Sequence, residues 1–244
     1  MKGTVNMKQH IKQTLLWVVG LGLLILLIQY PVKQTEPAWT TWSLPLSGKT
    51  IVLDPGHGGV DGGAVGSDKT QEKEITLEIS KKLQHYLQQS GALVYLTREK
   101  DVDLSSESTK GLSQKKSEDI RKRLKFIKDK NPDLFLSIHL NALPNSSWSG
   151  AQTFFNAKGD ENRHLAESIQ SEIIRNIENT DRVPLELNNV YLLKHAKTPG
   201  ALVEVGFLSN KQEREQLKDE AYQQQMAGSI YNGILKYITE DPEE

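Results

Sequence analysis

Asp54-Pro55-Gly56-His57-Gly58-Gly59 follows the apolar run Ile51-Val52-Leu53. A short β-type run that ends in proline and glycine sets an imidazole at the C-terminal mouth of a strand, where open α/β sheets gather ligands and catalytic groups. Glu72 heads an amphipathic segment, and His139 ends the apolar run Leu134-Phe135-Leu136-Ser137-Ile138. Two histidines and one carboxylate make a catalytic zinc set with one coordination position left open. Val203-Glu204-Val205-Gly206-Phe207 adds a further carboxylate at a strand end. A glutamate in such apolar company is costly to bury without a task or a partner. Near a bound zinc it acts as general base, taking a proton as water attacks a carbonyl and returning it to the leaving amine. The pattern implies a zinc hydrolase.

Each residue also has a plainer reading. His57 fits an exposed or structural turn histidine, Glu72 a solvated carboxylate at a helix head, and His139 a satisfied core histidine. Glu204 fits a salt bridge with an arginine such as Arg98. His195, in a loop, competes with the two histidines, and Glu74 and Glu78 lie close enough to substitute for Glu72. The combination outweighs the parts, because each residue stands at a strand or helix end facing one rim of a sheet. Other templates fail. The Gly-His-Gly-Gly segment resembles an esterase oxyanion loop, but no Gly-x-Ser-x-Gly elbow follows it. Ser47-Gly48-Lys49-Thr50 imitates the end of a phosphate loop, yet Ser43 stands where the first glycine belongs and the segment precedes a strand.

These groups must be carried by alternating elements. Ile51–Leu53, Ala92–Thr97, Leu134–Ile138, Gln152–Phe155, Val190–Leu193 and Ala201–Val205 read as strands. Helices are expected over 73–89, with Ile75, Ile79, Leu83 and Leu87 on one face, over 118–130, over 162–179 with Leu165, Ile169, Ile173 and Ile177 in register, and over 212–217 and 222–238. Residues 101–116 read as a surface loop. The alternation predicts a three-layer α/β domain with a twisted, mostly parallel sheet flanked by helices. Its expected span is 48–240, after a linker at 31–47 whose Trp39, Trp42 and Leu44 are free to pack on the domain.

Residues 1–30 are expected to form a signal anchor. Lys2, Lys8 and Lys12 precede an apolar stretch from Leu15 to Ile28, and no A-x-A-like cleavage site follows. The positive-inside tendency then leaves the N-terminus in the cytoplasm and exports the rest, held to the membrane. Lys+Arg 30 against Asp+Glu 31 argues against nucleic acid as the main partner. With Cys 0, disulfides and thiolate zinc sites are excluded. The basic run Lys115, Lys116, Arg121, Lys122, Arg123, Lys125 is broken by Glu118 and Asp119 and reads as a solvated helix face, with attraction of an anionic wall polymer as the alternative.

Leu53-Asp54-Pro55-Gly56-His57-Gly58-Gly59, Gln71-Glu72-Lys73, Leu96-Thr97-Arg98, Ser137-Ile138-His139-Leu140-Asn141-Ala142 and Val203-Glu204-Val205-Gly206-Phe207-Leu208-Ser209-Asn210 together resemble the zinc-dependent N-acetylmuramoyl-L-alanine amidases of the amidase-3 type. The resemblance implies that His57, Glu72 and His139 bind one catalytic zinc ion and that Glu204 is the catalytic carboxylate. Arg98 and Asn141 become candidates for substrate or supporting contacts. It implies cleavage of the amide between the lactyl group of N-acetylmuramic acid and L-alanine in peptidoglycan.

Trp42-Ser43-Leu44-Pro45-Leu46-Ser47-Gly48-Lys49, Thr109-Lys110-Gly111 and Trp148-Ser149-Gly150-Ala151-Gln152 are similar to the sporulation branch of that family. That branch implies removal of stem peptides from spore cortex as the first step towards muramic-δ-lactam, followed by a peptidoglycan deacetylase, an accessory lipoprotein as partner, and a location between the forespore and mother-cell membranes. Many relatives carry Asn where this chain has Lys128, which the resemblance reads as a change in a supporting hydrogen bond. The rival readings are a zinc peptidase cutting within the stem peptide and a non-catalytic wall-binding protein.

Overall fold

The computed structural model describes residues 7–29 and 44–240. Helix α1, Met7–Gln29, belongs to the first of two units into which the chain divides. Among the described residues no helix is long and apolar enough to cross a membrane. This corrects the expected signal anchor and the membrane-held location. The stretch Leu15–Ile28 is interrupted by Gly20 and Gly22 and spans only about 21 Å as helix, against roughly 30 Å of bilayer hydrocarbon. Trp39, Trp42 and most of the expected linker lie outside the described residues.

The second unit begins at Leu44. Leu46, inside the expected linker, is fully buried in the main core, so the domain's edge starts a few residues before position 48. Six strands form one sheet: β1 (Thr50–Pro55), β2 (Leu93–Leu96), β3 (Leu134–Asn141), β4 (Gln152–Phe155), β5 (Leu185–Glu186) and β6 (Gly200–Phe207). Their spatial order is β2-β1-β3-β6-β4-β5. The first four run parallel, whereas β4 pairs with β6 antiparallel and carries β5 with it. The sheet is mostly parallel, as expected, with β4–β6 as its antiparallel pair, because the β3–β4 connection returns the chain without a crossover helix.

Helices cover both faces. α2 (Glu72–Gln89) buries Ile75, Ile79, Leu83 and Leu87 in the main core, together with α4 (Asp160–Ile177) and α7 (Glu220–Thr239). Each such side chain contributes about 1.5–3 kcal/mol of hydrophobic stabilisation. α3 (Leu112–Lys130) and α5 (Tyr191–His195) cover a smaller core of Val52, Phe135 and Leu202 on the opposite face. α6 (Lys211–Lys218) follows β6, capped by Asn210 Oδ1, which accepts the Glu213 N–H at 3.1 Å.

Two sequence expectations change here. Val190–Leu193 is not a strand. It leads into α5, where Leu192 and Leu193 pack on Leu202, and four apolar residues carry too little periodicity to separate strand from helix. α3 starts at Leu112, well before 118, because its first turns are polar and hide the helical period.

From β1 the chain moves to β2 on one side, and then to β3 on the other side of β1. The crevice beyond the C-terminal ends of β1 and β3 is therefore a topological switch point, the usual position for a ligand site in an open α/β sheet.

Candidate metal and catalytic centre

His57 leaves β1 at that crevice with φ 60°, a left-handed conformation that costs a non-glycine residue strain. Two buried arginines hold it there. Arg98 donates to the carbonyls of Pro55 (3.0 Å), Gly56 (2.9 Å) and Lys73 (2.8 Å). Arg123, only 1% exposed, donates to Pro55 O (2.7 Å) and His57 O (2.5 Å). Its remaining bonds run to Asp54 Oδ1 at 2.8 Å and Asp119 Oδ2 at 2.7 Å, pinning α3 to the end of β1. Asp54 also accepts from Thr97 Oγ1 (2.6 Å) and Ser137 Oγ (2.7 Å). Burial alone would raise the Asp54 carboxyl, but Arg123 and the two hydroxyls outweigh it and hold the pKa below the usual aspartate range. Burial and the like charge of Arg123 bring the Arg98 guanidinium down to about 10.

Glu72 enters from the first turn of α2 and is 2% exposed. Its Oε1 accepts the Leu140 N–H at 2.9 Å and lies 2.9 Å from His139 Nδ1. Its Oε2 accepts the Ala64 N–H at 2.7 Å and lies 3.1 Å from His57 Nε2. The two imidazoles stand edge to face, centroids 5.0 Å apart. Among the described residues, His57, Glu72 and His139 form one group whose potential ligand atoms all lie within 4.8 Å of one another. Burial would raise Glu72, yet the hydrogen bonds from His139 and His57 prevail and keep it ionised. Burial would lower His57, but Glu72 and Asp61 together raise it.

The far nitrogen of His57, Nδ1, lies 2.9 Å from Asp61 Oδ2, and Lys116 Nζ reaches Asp61 Oδ1 at 2.7 Å. A carboxylate behind a histidine is the arrangement that orients metal-binding imidazoles. Space around the group is tightly cut. A Cβ on Gly63, which sits at φ 71°, would collide with Glu72 Oε2 and His57, and one on Gly56 would lie 2.5 Å from His139 Cε1. The donor set of two neutral-capable imidazoles and one ionised carboxylate fits a divalent ion such as zinc.

Glu204 stands directly opposite His139 in the β3–β6 register. Its Oε2 is shut off from solvent with no hydrogen-bond partner. Burial pushes its pKa up to about 7, with His139 pulling down and Glu72 pushing up. No arginine pairs with it among the described residues: the donors of Arg98 go to backbone carbonyls and to Thr76 Oγ1 at 3.2 Å, which removes the salt-bridge alternative. Asn141 ends β3 at a register shift, where its carbonyl accepts the Leu208 N–H at 2.8 Å. His195 ends α5, its ring 4.6 Å from that of Tyr191, outside the three-residue group. Lys128 is exposed in the last turn of α3.

A cleft of about 190 Å³ beside His57 and His139 is lined also by Lys116, Ile120 and Arg123. A larger cavity of about 740 Å³ lies at the opposite, N-terminal ends of the strands, near Lys49, Asp133 and Pro199, away from this chemistry. Asp54, Asp61, Lys116 and Arg123 all belong to the centre and escaped the sequence reading. Aspartate at 54 was readable as part of the Asp-Pro-Gly-His turn, whereas nothing in the basic run marks Arg123 as the member of that run that is buried.

A family model described as N-acetylmuramoyl-L-alanine amidase matches residues 51–236. The germination-specific N-acetylmuramoyl-L-alanine amidase of Bacillus subtilis (strain 168) is 50% identical over 230 residues, 93% of this chain and 96% of that protein. The CwlD amidase from Clostridioides difficile, solved in complex with the GerS lipoprotein, superposes with a TM-score of 0.78 at 43% identity, covering 79% of this chain and 100% of that one. The amidase AmiC2 of Nostoc punctiforme gives a TM-score of 0.69 at 31% identity over 80% of this chain and 99% of its own.

Proposed function

Because this chain belongs to the N-acetylmuramoyl-L-alanine amidase family, we propose that its centre hydrolyses the amide between N-acetylmuramic acid and L-alanine with one zinc ion held by His57, Glu72 and His139. The chain is an amidase of peptidoglycan, and its similarity to the germination-specific enzyme assigns it to spore-cortex modification. The catalytic domain is residues 48–240, with residues 44–47 closing its edge. The observation that carries the mechanism is the register that puts Glu204 across from His139 beside the three-residue group.

When bound, zinc supplies Lewis acidity, polarising the scissile carbonyl and making water acidic enough to attack near neutral pH. Glu204 removes the proton from the attacking water and delivers it to the leaving nitrogen of L-alanine. Its burial suits both tasks, since it lifts the carboxyl towards the working pH, where such a group both accepts and returns a proton. Asp61 holds the His57 ring by Nδ1 and leaves Nε2 facing the centre. Arg123 and Arg98 keep the strained turn in place by holding its carbonyls.

The product is a muramic residue with a free lactyl carboxylate beside its N-acetyl group. Loss of that acetyl group exposes the amine that closes a δ-lactam, so a peptidoglycan deacetylase acts next on this product. The lipoprotein bound to the Clostridioides difficile amidase supports an accessory lipoprotein as partner here too.

Full-length protein incubated with cortex-type peptidoglycan, with and without a chelator, tests the reading by mass spectrometry of the products. Intact stem peptides beginning at L-alanine are expected, abolished by chelation and restored by zinc. Release of shorter peptides that leaves L-alanine on the sugar would replace the amidase assignment with a peptidase.

A further inference from the structure

β3, β6 and β4 carry His139, Glu204 and Gln152 opposite one another in register. Directly opposed residues present their side chains on the same face of a sheet, so these three form a row across the floor of the centre. Adjacent strands are about 4.8 Å apart, and the row therefore reaches Gln152 one strand beyond Glu204, on the side away from His139. The next member is Arg182. Its Nη1 donates to Gln152 Oε1 at 3.3 Å, and its Nη2 donates to the Ser149 carbonyl at 3.1 Å.

The guanidinium is framed by two aromatic rings, with Trp148 at 5.1 Å and Phe207 at 5.3 Å from its central carbon. Trp148 is 47% exposed, so the frame opens to solvent. Ring faces on a guanidinium fix the plane of its fork. Both of its hydrogen bonds go to neutral acceptors, and among the described residues no carboxylate forms an ion pair with it. Glu213, the acid whose charge Arg182 influences, has its oxygens committed elsewhere: Oε1 accepts the Gly150 N–H at 2.9 Å and Oε2 the Phe207 N–H at 2.8 Å. Arg182 thus keeps uncommitted N–H donors in a fixed plane. The loop that carries Trp148 is anchored by Gly150 at φ 92°, where a Cβ would lie 2.6 Å from the Asn179 carbonyl.

We propose that Arg182, between Trp148 and Phe207, binds a carboxylate of the stem peptide next to the scissile amide. The inference rests on the amidase reading above. On the muramic side of the bond the lactyl carboxyl is consumed in the amide and offers no anion there. The peptide side carries side-chain and terminal carboxylates. A planar fork one strand beyond the general base meets such a group in the bidentate geometry that guanidinium and carboxylate favour.

The test compares two muramoyl peptides, one with free peptide carboxylates and one with them amidated, against the zinc-loaded full-length protein and its Arg182→Gln variant. For the native protein, amidation lowers kcat/KM about tenfold to a hundredfold, the range of a charge-assisted hydrogen bond, with most of the change in KM. Arg182→Gln loses a similar factor on the acidic substrate and nothing further on amidation. Arg182→Lys, which keeps the charge without the fork, falls between. Equal losses on both substrates would make Arg182 a brace for the Trp148 loop and overturn the proposal. Native cleavage of both substrates at the same rate would overturn it without reference to any variant, leaving the amidase reading intact. Failure of the native protein to cut the muramoyl bond in either substrate would remove the amidase reading and this proposal together.

Discussion

Replacing Arg123 by methionine keeps a straight apolar stem and deletes the guanidinium. Asp54, 1% exposed, then retains only the hydroxyls of Thr97 and Ser137, and Asp119 loses its partner on the same helix. Removing one partner of a buried ion pair costs roughly 3–5 kcal/mol, because the other charge stays buried and unpaired. The loss at pH 7 is expected in that range and is read from denaturant midpoints at constant slope. Its pH dependence checks the cause. In the native protein the Asp54 pKa is held below 3.8, so its contribution is present above that value and lost only as pH falls below it. Without Arg123, burial is the dominant influence and raises the Asp54 pKa above its unfolded value. The folded variant then binds the proton more tightly than its unfolded chain, and it regains stability as pH falls through the raised pKa towards about 4. The gap between native and variant therefore narrows from pH 7 to pH 4. A loss under about 1 kcal/mol, or a gap that stays constant over that interval, would refute the assignment of Arg123–Asp54 as the tie between α3 and the His57 turn.

Glu204→Gln is expected to lower kcat by roughly 10²–10⁴ with zinc content unchanged by elemental analysis; lost metal would make Glu204 a ligand. The native activity rises with pH as Glu204 ionises, and its acidic limb has a midpoint at or below about 7, the cation drawing it downward; activity that falls as pH rises from 4 to 7 would contradict a carboxylate base. Asp61→Asn removes the charge behind His57 and is expected to weaken zinc binding about 10–100-fold in a competitive chelator titration, with an unchanged affinity assigning Asp61 to Lys116 alone. Zinc at a hundred times its dissociation constant should add about 2.7 kcal/mol to stability, and Glu72→Gln should abolish that increment in a thermal-shift series.

His57, Glu72 and His139 were legible as residues at strand and helix ends because those ends are marked locally, by Pro and Gly after β1 and by an apolar run before His139. Their convergence follows from the switch point, which is set by the strand order and is not given by the alternation of strand and helix. The rest was hidden for physical reasons. Arg123 sits among exposed lysines of the same helix, and only the packing of α3 against the end of β1 buries it. The direction of β4 depends on a connection that lacks any helical period. β5 is two exposed residues, below the length at which alternation is readable. For α1, an apolar run in the sequence suggested a span that the described helix does not provide.

The last strand in the chain is placed in the middle of the sheet: β6 lies between β3 and β4. During synthesis His57, Glu72 and His139 all leave the ribosome before Glu204 does. Until β6 inserts, β3 presents an unpaired edge, and β4 with β5 has no neighbour to join. Such an edge is open to pairing with foreign chains. The long sequence separation across β3–β6 also makes its closure a slow step. The nascent chain therefore passes through a stage in which the proposed zinc ligands exist without the proposed proton carrier, and the exposed edge of β3 is covered when the strand bearing Glu204 enters the sheet.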